Sequence, residues 1–203
     1  MKRFILTLFI IPFVFACGST SDGKSGSYFE SVRVYVSGDN IEGNVYEADS
    51  VDKDSNNDGI CDNNSDNYTF TTDEITVNVT SEAIPNLPED MELADVEIYN
   101  ITVSFTPNND NVSYEFIPEE KVYNRRYYIE PNSTTEIPVT IFEKREKEDS
   151  SFNLFYSKLD NNTTYEYIVN IGFKAEELIY GGTHSFSYKF PLRYYDLEDD
   201  CTE

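Results

Sequence analysis

Tyr165-Glu166-Tyr167-Ile168-Val169-Asn170-Ile171-Gly172-Phe173 decides the fold. Tyr165, Tyr167, Val169, Ile171 and Phe173 occupy every second position, and a β-strand points alternate side chains to opposite faces. A helix would scatter the same residues around its circumference. The next segment repeats the pattern with His184, Phe186, Tyr188 and Phe190, and Gly181-Gly182 supplies the hairpin connection between the two.

Working outward, the same period of two recurs. Tyr99, Ile101, Val103 and Phe105 are expected to face one way, with Asn100, Thr102 and Ser104 the other. Val32, Val34 and Val36 alternate with polar neighbours, as do Ile75, Val77 and Val79, and then Ile137, Val139 and Ile141. Shorter strands are expected around Val45-Tyr46, Tyr114/Phe116, Tyr127/Ile129 and Phe152 to Tyr156. Ala83 to Leu93, with Pro85 and Pro88, reads as a loop crossing between sheets. Glu143-Lys-Arg-Glu-Lys-Glu-Asp149 reads as a solvated hairpin tip or strand end. No window carries an amphipathic helical stripe, and Val, Ile, Thr, Tyr and Phe dominate the periodic segments. Short strands separated by turns about every 8–12 residues point to an all-β, antiparallel sandwich.

Leu159-Asp-Asn161-Asn-Thr163-Thr-Tyr165-Glu-Tyr167 resembles the corner before the penultimate strand of fibronectin type III and immunoglobulin-like domains. The resemblance implies that Tyr165 pins the crossover between sheets and that Leu159 lies beneath the turn. Asn161 stands where such domains often have proline, and the chain has no Trp for an early core strand. The fold expected is therefore an Ig-like or fibronectin-like β-sandwich with extra N-terminal strands, one domain over residues 28–203.

The amino-terminal segment has a different character. Lys2 and Arg3 precede an apolar run from Phe4 to Phe15, and small Ala16 comes before Cys17. That is the layout of a secretory signal, over residues 1–16, and it is too short to span a bilayer comfortably. Val14-Phe15-Ala16-Cys17 resembles a bacterial lipobox. The resemblance implies cleavage before Cys17, lipid on its sulfur, and anchoring in the cell envelope through residues 17–27, a small polar tether. Because Gly18 follows the cysteine, a diderm source would place the protein at the outer membrane. Gly18, Gly23, Lys24 and Ser25 also match the spacing of a phosphate-binding loop. That motif needs a preceding strand and a following helix, and here neither is expected, so no nucleotide is assigned.

With 38 acidic against 15 basic side chains the chain carries a formal charge of −23. Nucleic acid and anionic lipid surfaces are repelled by such a protein, while cations, basic proteins and neutral glycans are not. Disorder is opposed by sixteen Tyr and fourteen Phe. If Cys17 takes lipid, Cys61 and Cys201 remain as an even pair in a compartment that permits disulfides, and a Cys61–Cys201 bond is expected.

Residues 49–67 break the strand pattern with eleven Asp and Asn residues. Asp54, Asn56, Asp58 and Gly59 match the opening positions of a calcium loop, Ile60 would offer its carbonyl, and Asp62 follows two residues later. Ser65 stands where an EF-hand has its bidentate Glu. The expected ligand is structural Ca²⁺, with a plain solvated loop as the alternative. His184 is the sole histidine, so zinc sites that need two or more histidines cannot be assembled, and a packed strand residue is expected there. No catalytic residues are assigned. Tyr127, Tyr128, Tyr194 and Tyr195 are candidate binding aromatics, because adjacent strand residues put one ring of each pair outward. The resulting expectation is a lipid-anchored envelope protein with a non-enzymatic binding or structural role and an envelope protein or glycan as partner. A surface glycan-binding module, calcium-stabilised, is the alternative, and an envelope hydrolase the remote one.

Overall fold

A computed structural model describes residues 25–38, 45–49, 70–108, 117–148 and 164–195. Along them run β1 (Ser25–Tyr28), β2 (Val32–Gly38), β3 (Tyr46–Asp49), β4 (Asp73–Ala83), β5 (Val96–Pro107), β6 (Lys121–Tyr123), β7 (Tyr127–Ile129) and β8 (Thr134–Phe142). The short helix α1 (Lys144–Glu148), β9 (Tyr165–Glu177) and β10 (Thr183–Tyr195) follow. The strands make two sheets. One has the order β1-β2-β4-β8; the other has the order β3-β10-β9-β5-β6, with β7 paired to β5 off that path. Pairing is antiparallel except between β3 and β10, which run parallel.

Alternation in the sequence becomes alternation in burial. On β4, Ile75, Val77 and Val79 are buried while Thr76, Asn78 and Thr80 are half-buried on the other side. On β9, Tyr167, Val169, Ile171, Phe173 and Ala175 are buried. The two inner faces close on one core cluster to which both sheets contribute. Aromatic rings join the layers: Phe105 of β5 stacks on Phe142 of β8 at 5.4 Å, and Phe142 meets Tyr194 of β10 at 5.1 Å. The segment after β4 crosses from the first sheet to the second. The β9–β10 hairpin turns at Gly181, whose φ of 69° suits a residue without a side chain.

Three expectations change. A bulge on β5 leaves Tyr99 without a partner on β9, since Ile98 pairs with Ala175 and Asn100 with Lys174. The inward set is therefore Val96 and Ile98 before the bulge and Ile101, Val103 and Phe105 after it; Tyr99 is half-buried. A second irregularity sets Asp73 against Phe142 and Glu74 against Thr140, so Ile141 and Phe142 both turn inward. The charged run after β8 is not a solvated tip: it forms α1, and Lys147 within it is buried. The short strands expected at Tyr114/Phe116 and at Phe152 to Tyr156 lie outside the described residues.

Candidate functional site

Chain direction gathers four connections at one end of the sandwich. Val32 pairs with Ala83, Thr80 with Thr134, and Val96 with both Glu177 and Ile129. The β1–β2 turn, the β4–β5 crossing, the β7–β8 turn and the β9–β10 hairpin thus lie side by side. A buried carboxylate ties them. The inward set of β9 extends past Ala175 to Glu177, which is fully buried. Its Oε1 accepts from the Ser31 backbone N–H at 2.9 Å and the Ser31 hydroxyl at 2.5 Å, and its Oε2 accepts from the Glu30 N–H at 2.9 Å. The Ser31 hydroxyl oxygen in turn accepts from the Ala94 N–H at 3.0 Å. A buried carboxylate is tolerated when its lone pairs are satisfied in this way.

Further bonds fasten the loops. The Leu178 N–H donates to the Asp95 carbonyl at 3.0 Å, and the Tyr180 hydroxyl donates to the Glu92 carbonyl at 2.9 Å. The Ala83 N–H donates to Asn132 Oδ1 at 3.0 Å, and the Ser81 N–H to the Ser133 carbonyl at 2.9 Å. Above this framework Leu93, Leu178, Ile179 and Tyr180 are exposed, at 38%, 45%, 52% and 38%.

At the opposite end of β4 lies a buried pair of charges. Lys147 Nζ sits 2.8 Å from Asp73 Oδ2, with both side chains buried. Desolvation raises the Asp73 carboxyl above the ordinary range, and the attraction of Lys147 only partly opposes it. Lys121 is close by. Its ammonium donates to the Ile141 carbonyl and to Glu146 Oε2, both at 2.5 Å, and lies over the Phe142 ring at 5.2 Å. Burial lowers its pKa against the pull of Glu146. Glu146 also accepts from the Glu143 N–H at 2.7 Å, a capping-box contact that starts α1.

Perturbed titrating groups often mark catalytic sites, but these face one another inside the core. The surface depression nearby is lined by Thr72, Thr140, Glu143, Lys144 and Arg145, and neither Asp73 nor Lys147 reaches it. A second cavity, between Ile101, Tyr123 and Val139, offers about 10 Å³, roughly the room of one water. Among the described residues no group of three His, Cys, Asp or Glu side chains is set to share a metal ion.

The residues singled out in the sequence fare unequally. Cys17, Cys61, Cys201, Asp54, Asn56, Asp58, Ile60, Asp62 and Leu159 lie outside the described residues. Tyr165 opens β9, half-buried and packed against the core. Tyr127 is half-buried on the same core, whereas Tyr128 is 56% exposed. Tyr128 and Arg126 hold the Glu97 carboxyl below its ordinary range by hydrogen bonds, the Tyr128 bond being the larger influence. Tyr194 is a correction: it is buried against Phe142, because β10 continues its inward set through Leu192 to Tyr194, and a core ring offers no stacking surface. Tyr195 ends β10, and its side chain is outside the described residues. His184 packs its ring 4.5 Å from Phe29, with Nδ1 3.2 Å from Ser27 Oγ.

Glu177, Asp73 and Lys147 carry the best-defined polar geometry, and the sequence reading passed over all three. The signal for Glu177 was present, since it extends the alternating set of β9. No protein family, curated protein or solved structure matches the chain.

Proposed function

We propose that this chain is a lipid-anchored protein of the cell envelope whose Ig-like β-sandwich binds a partner without catalysing a reaction. Val14-Phe15-Ala16-Cys17, following a short apolar run with Lys2 and Arg3 before it, is the observation that carries the anchor. The Ig-like reading is supported by strand order. β2-β4-β8 opposes β10-β9-β5, as the first, second and fifth strands of such a domain oppose its seventh, sixth and third. β1 and β3 would be the added N-terminal strands, and Tyr165 stands at the entry to the penultimate strand.

A binding role is favoured by how the polar groups are spent. Glu177 is satisfied by two backbone N–H groups and the Ser31 hydroxyl, Asp73 and Lys147 face each other, and Glu97 pairs with Arg126, so the described buried charges serve the scaffold. Ig-like scaffolds display loops, and their fold alone assigns no chemistry. The anchor is tested by Cys17→Ser in the producing cell. The variant is expected to leave the membrane fraction and to lose its lipid mass; retention in membranes with the mass unchanged would refute the reading.

A further inference from the structure

We propose that the end of the sandwich bearing Leu93, Leu178, Ile179 and Tyr180 docks a polypeptide surface with an apolar centre ringed by lysine and arginine. The inference rests on the binding role above and names the place and the partner's chemistry.

Hairpin tips in water are ordinarily built from Gly, Asn, Asp and Ser. Here Leu178-Ile179-Tyr180 precede Gly181, and Leu93 of the neighbouring crossing is exposed beside them. None of the four belongs to the core cluster. The fold has no use for them that burial would reveal, and grouped exposed apolar side chains mark contact surfaces more than scattered ones do.

The two loops are also held in place before any partner arrives. Tyr180 is bonded to Glu92, Leu178 to Asp95, and the Glu177–Ser31–Ala94 chain lies directly beneath. Binding therefore costs little ordering of the loops, which leaves more of the contact energy as affinity.

Charge selects the partner. Glu89, Asp90, Glu92 and Asp95 are exposed on the crossing, and residues 84–95 and 176–183 contain no lysine or arginine. Glu30 and Glu130 are exposed on the adjoining turns. A second copy would bring carboxylate against carboxylate, and anionic lipid would be repelled likewise. A basic rim around an apolar centre is complementary in both respects. β1 runs from Ser25, opposite Val36, toward this end at Tyr28, opposite Arg33.

The test uses the full chain in nanodiscs of zwitterionic lipid and a labelled amphipathic Leu/Lys peptide as probe. Its Leu/Glu counterpart and empty nanodiscs serve as controls. Binding is expected to weaken with salt, and to fall by about tenfold or more in Leu178→Ser/Ile179→Ser, as for loss of a buried apolar anchor. Glu89→Gln/Asp90→Asn/Glu92→Gln should weaken binding and flatten its salt dependence, while Val122→Ser, an exposed residue of β6 opposite Thr102 and so away from this end, should bind as the wild type does.

Equal binding by all variants, absence of binding, or equal binding of the Leu/Glu peptide would overturn the proposal. So would sedimentation showing self-association that Leu178→Ser/Ile179→Ser abolishes, since the occupant would then be a second copy. The Cys17→Ser fractionation is independent of this outcome, so the docking end and the anchor fail separately.

Discussion

Replacing Lys147 by Met tests whether the buried charge pair is a mutual dependence. Methionine has nearly the shape of lysine without its ammonium, so packing is largely kept and the Asp73 carboxylate is left buried, 8% exposed, with its 2.8 Å partner gone. Breaking a buried pair from one side costs about 3–5 kcal/mol. For a chain of 203 residues that corresponds to a fall in Tm of roughly 6–20 °C. Lys121 acts on Asp73 as well, in the lowering direction, which places the expected loss toward the smaller end.

The pH dependence has a definite sign. Asp73 is raised in the folded protein, so folding resists its ionisation. That resistance costs nothing when the carboxyl is protonated in both states, and it appears as pH rises through the folded pKa. The penalty of Lys147→Met should therefore shrink as pH falls through the acid range. Lys147→Met/Asp73→Asn should recover most of the loss at neutral pH, to within about 1.5 kcal/mol of the wild type. Urea denaturation of the two single variants and the double variant reads the cycle. A Lys147→Met cost below about 1 kcal/mol, as for a surface pair, would refute the buried-pair reading. So would a double variant no more stable than Lys147→Met alone.

Glu177→Gln replaces one acceptor oxygen by a donor opposite the Glu30 or Ser31 N–H; a loss of about 2–4 kcal/mol in urea denaturation is expected, with Glu176→Gln within about 0.5 kcal/mol of the wild type. A Glu177→Gln protein as stable as the Glu176→Gln control would contradict the loop tie. The Tyr46 and Tyr123 hydroxyls are pushed up to about 12, chiefly by burial and then by nearby carboxylates. Because both are raised above 10.0, stability should hold until about pH 10 and drop between about pH 10 and 12. Absorbance at alkaline pH should show late-ionising tyrosines, and complete tyrosine titration near 10 in the folded protein would refute this. On the expectation that Asp54, Asn56, Asp58, Ile60 and Asp62 ligate Ca²⁺, removal of calcium by a chelator should lower the melting midpoint, and an unchanged midpoint would remove that expectation.

The polar framework of the loop end was partly written in the sequence. Glu177 continues the inward series of Tyr167 to Ala175, which marks it as a buried carboxylate needing partners. Its partners, Glu30 and Ser31, are far away along the chain, and no local pattern pairs them. Lys147 was hidden more completely. Within Glu143 to Asp149 it looks like any other charge in a solvated run, and its burial depends on Asp73 waiting at the start of β4.

Sequence alone determined that this chain is built of strands and which face of each strand turns inward, because side-chain alternation is set by the geometry of an extended backbone. It set the crossing at Pro85 and Pro88 and the hairpin at Gly181-Gly182 for the same local reasons. Tertiary structure decided where that alternation slips. The extra residue at Tyr99 and the irregularity at Ile141 follow from fitting strands of two sheets around one core, and the second turns Phe142 into the layer between Phe105 and Tyr194. It also decided which charges are buried and which aromatic rings are lost to the core. Those outcomes depend on groups brought together by the packing of the two sheets, and a period of two carries no information about them.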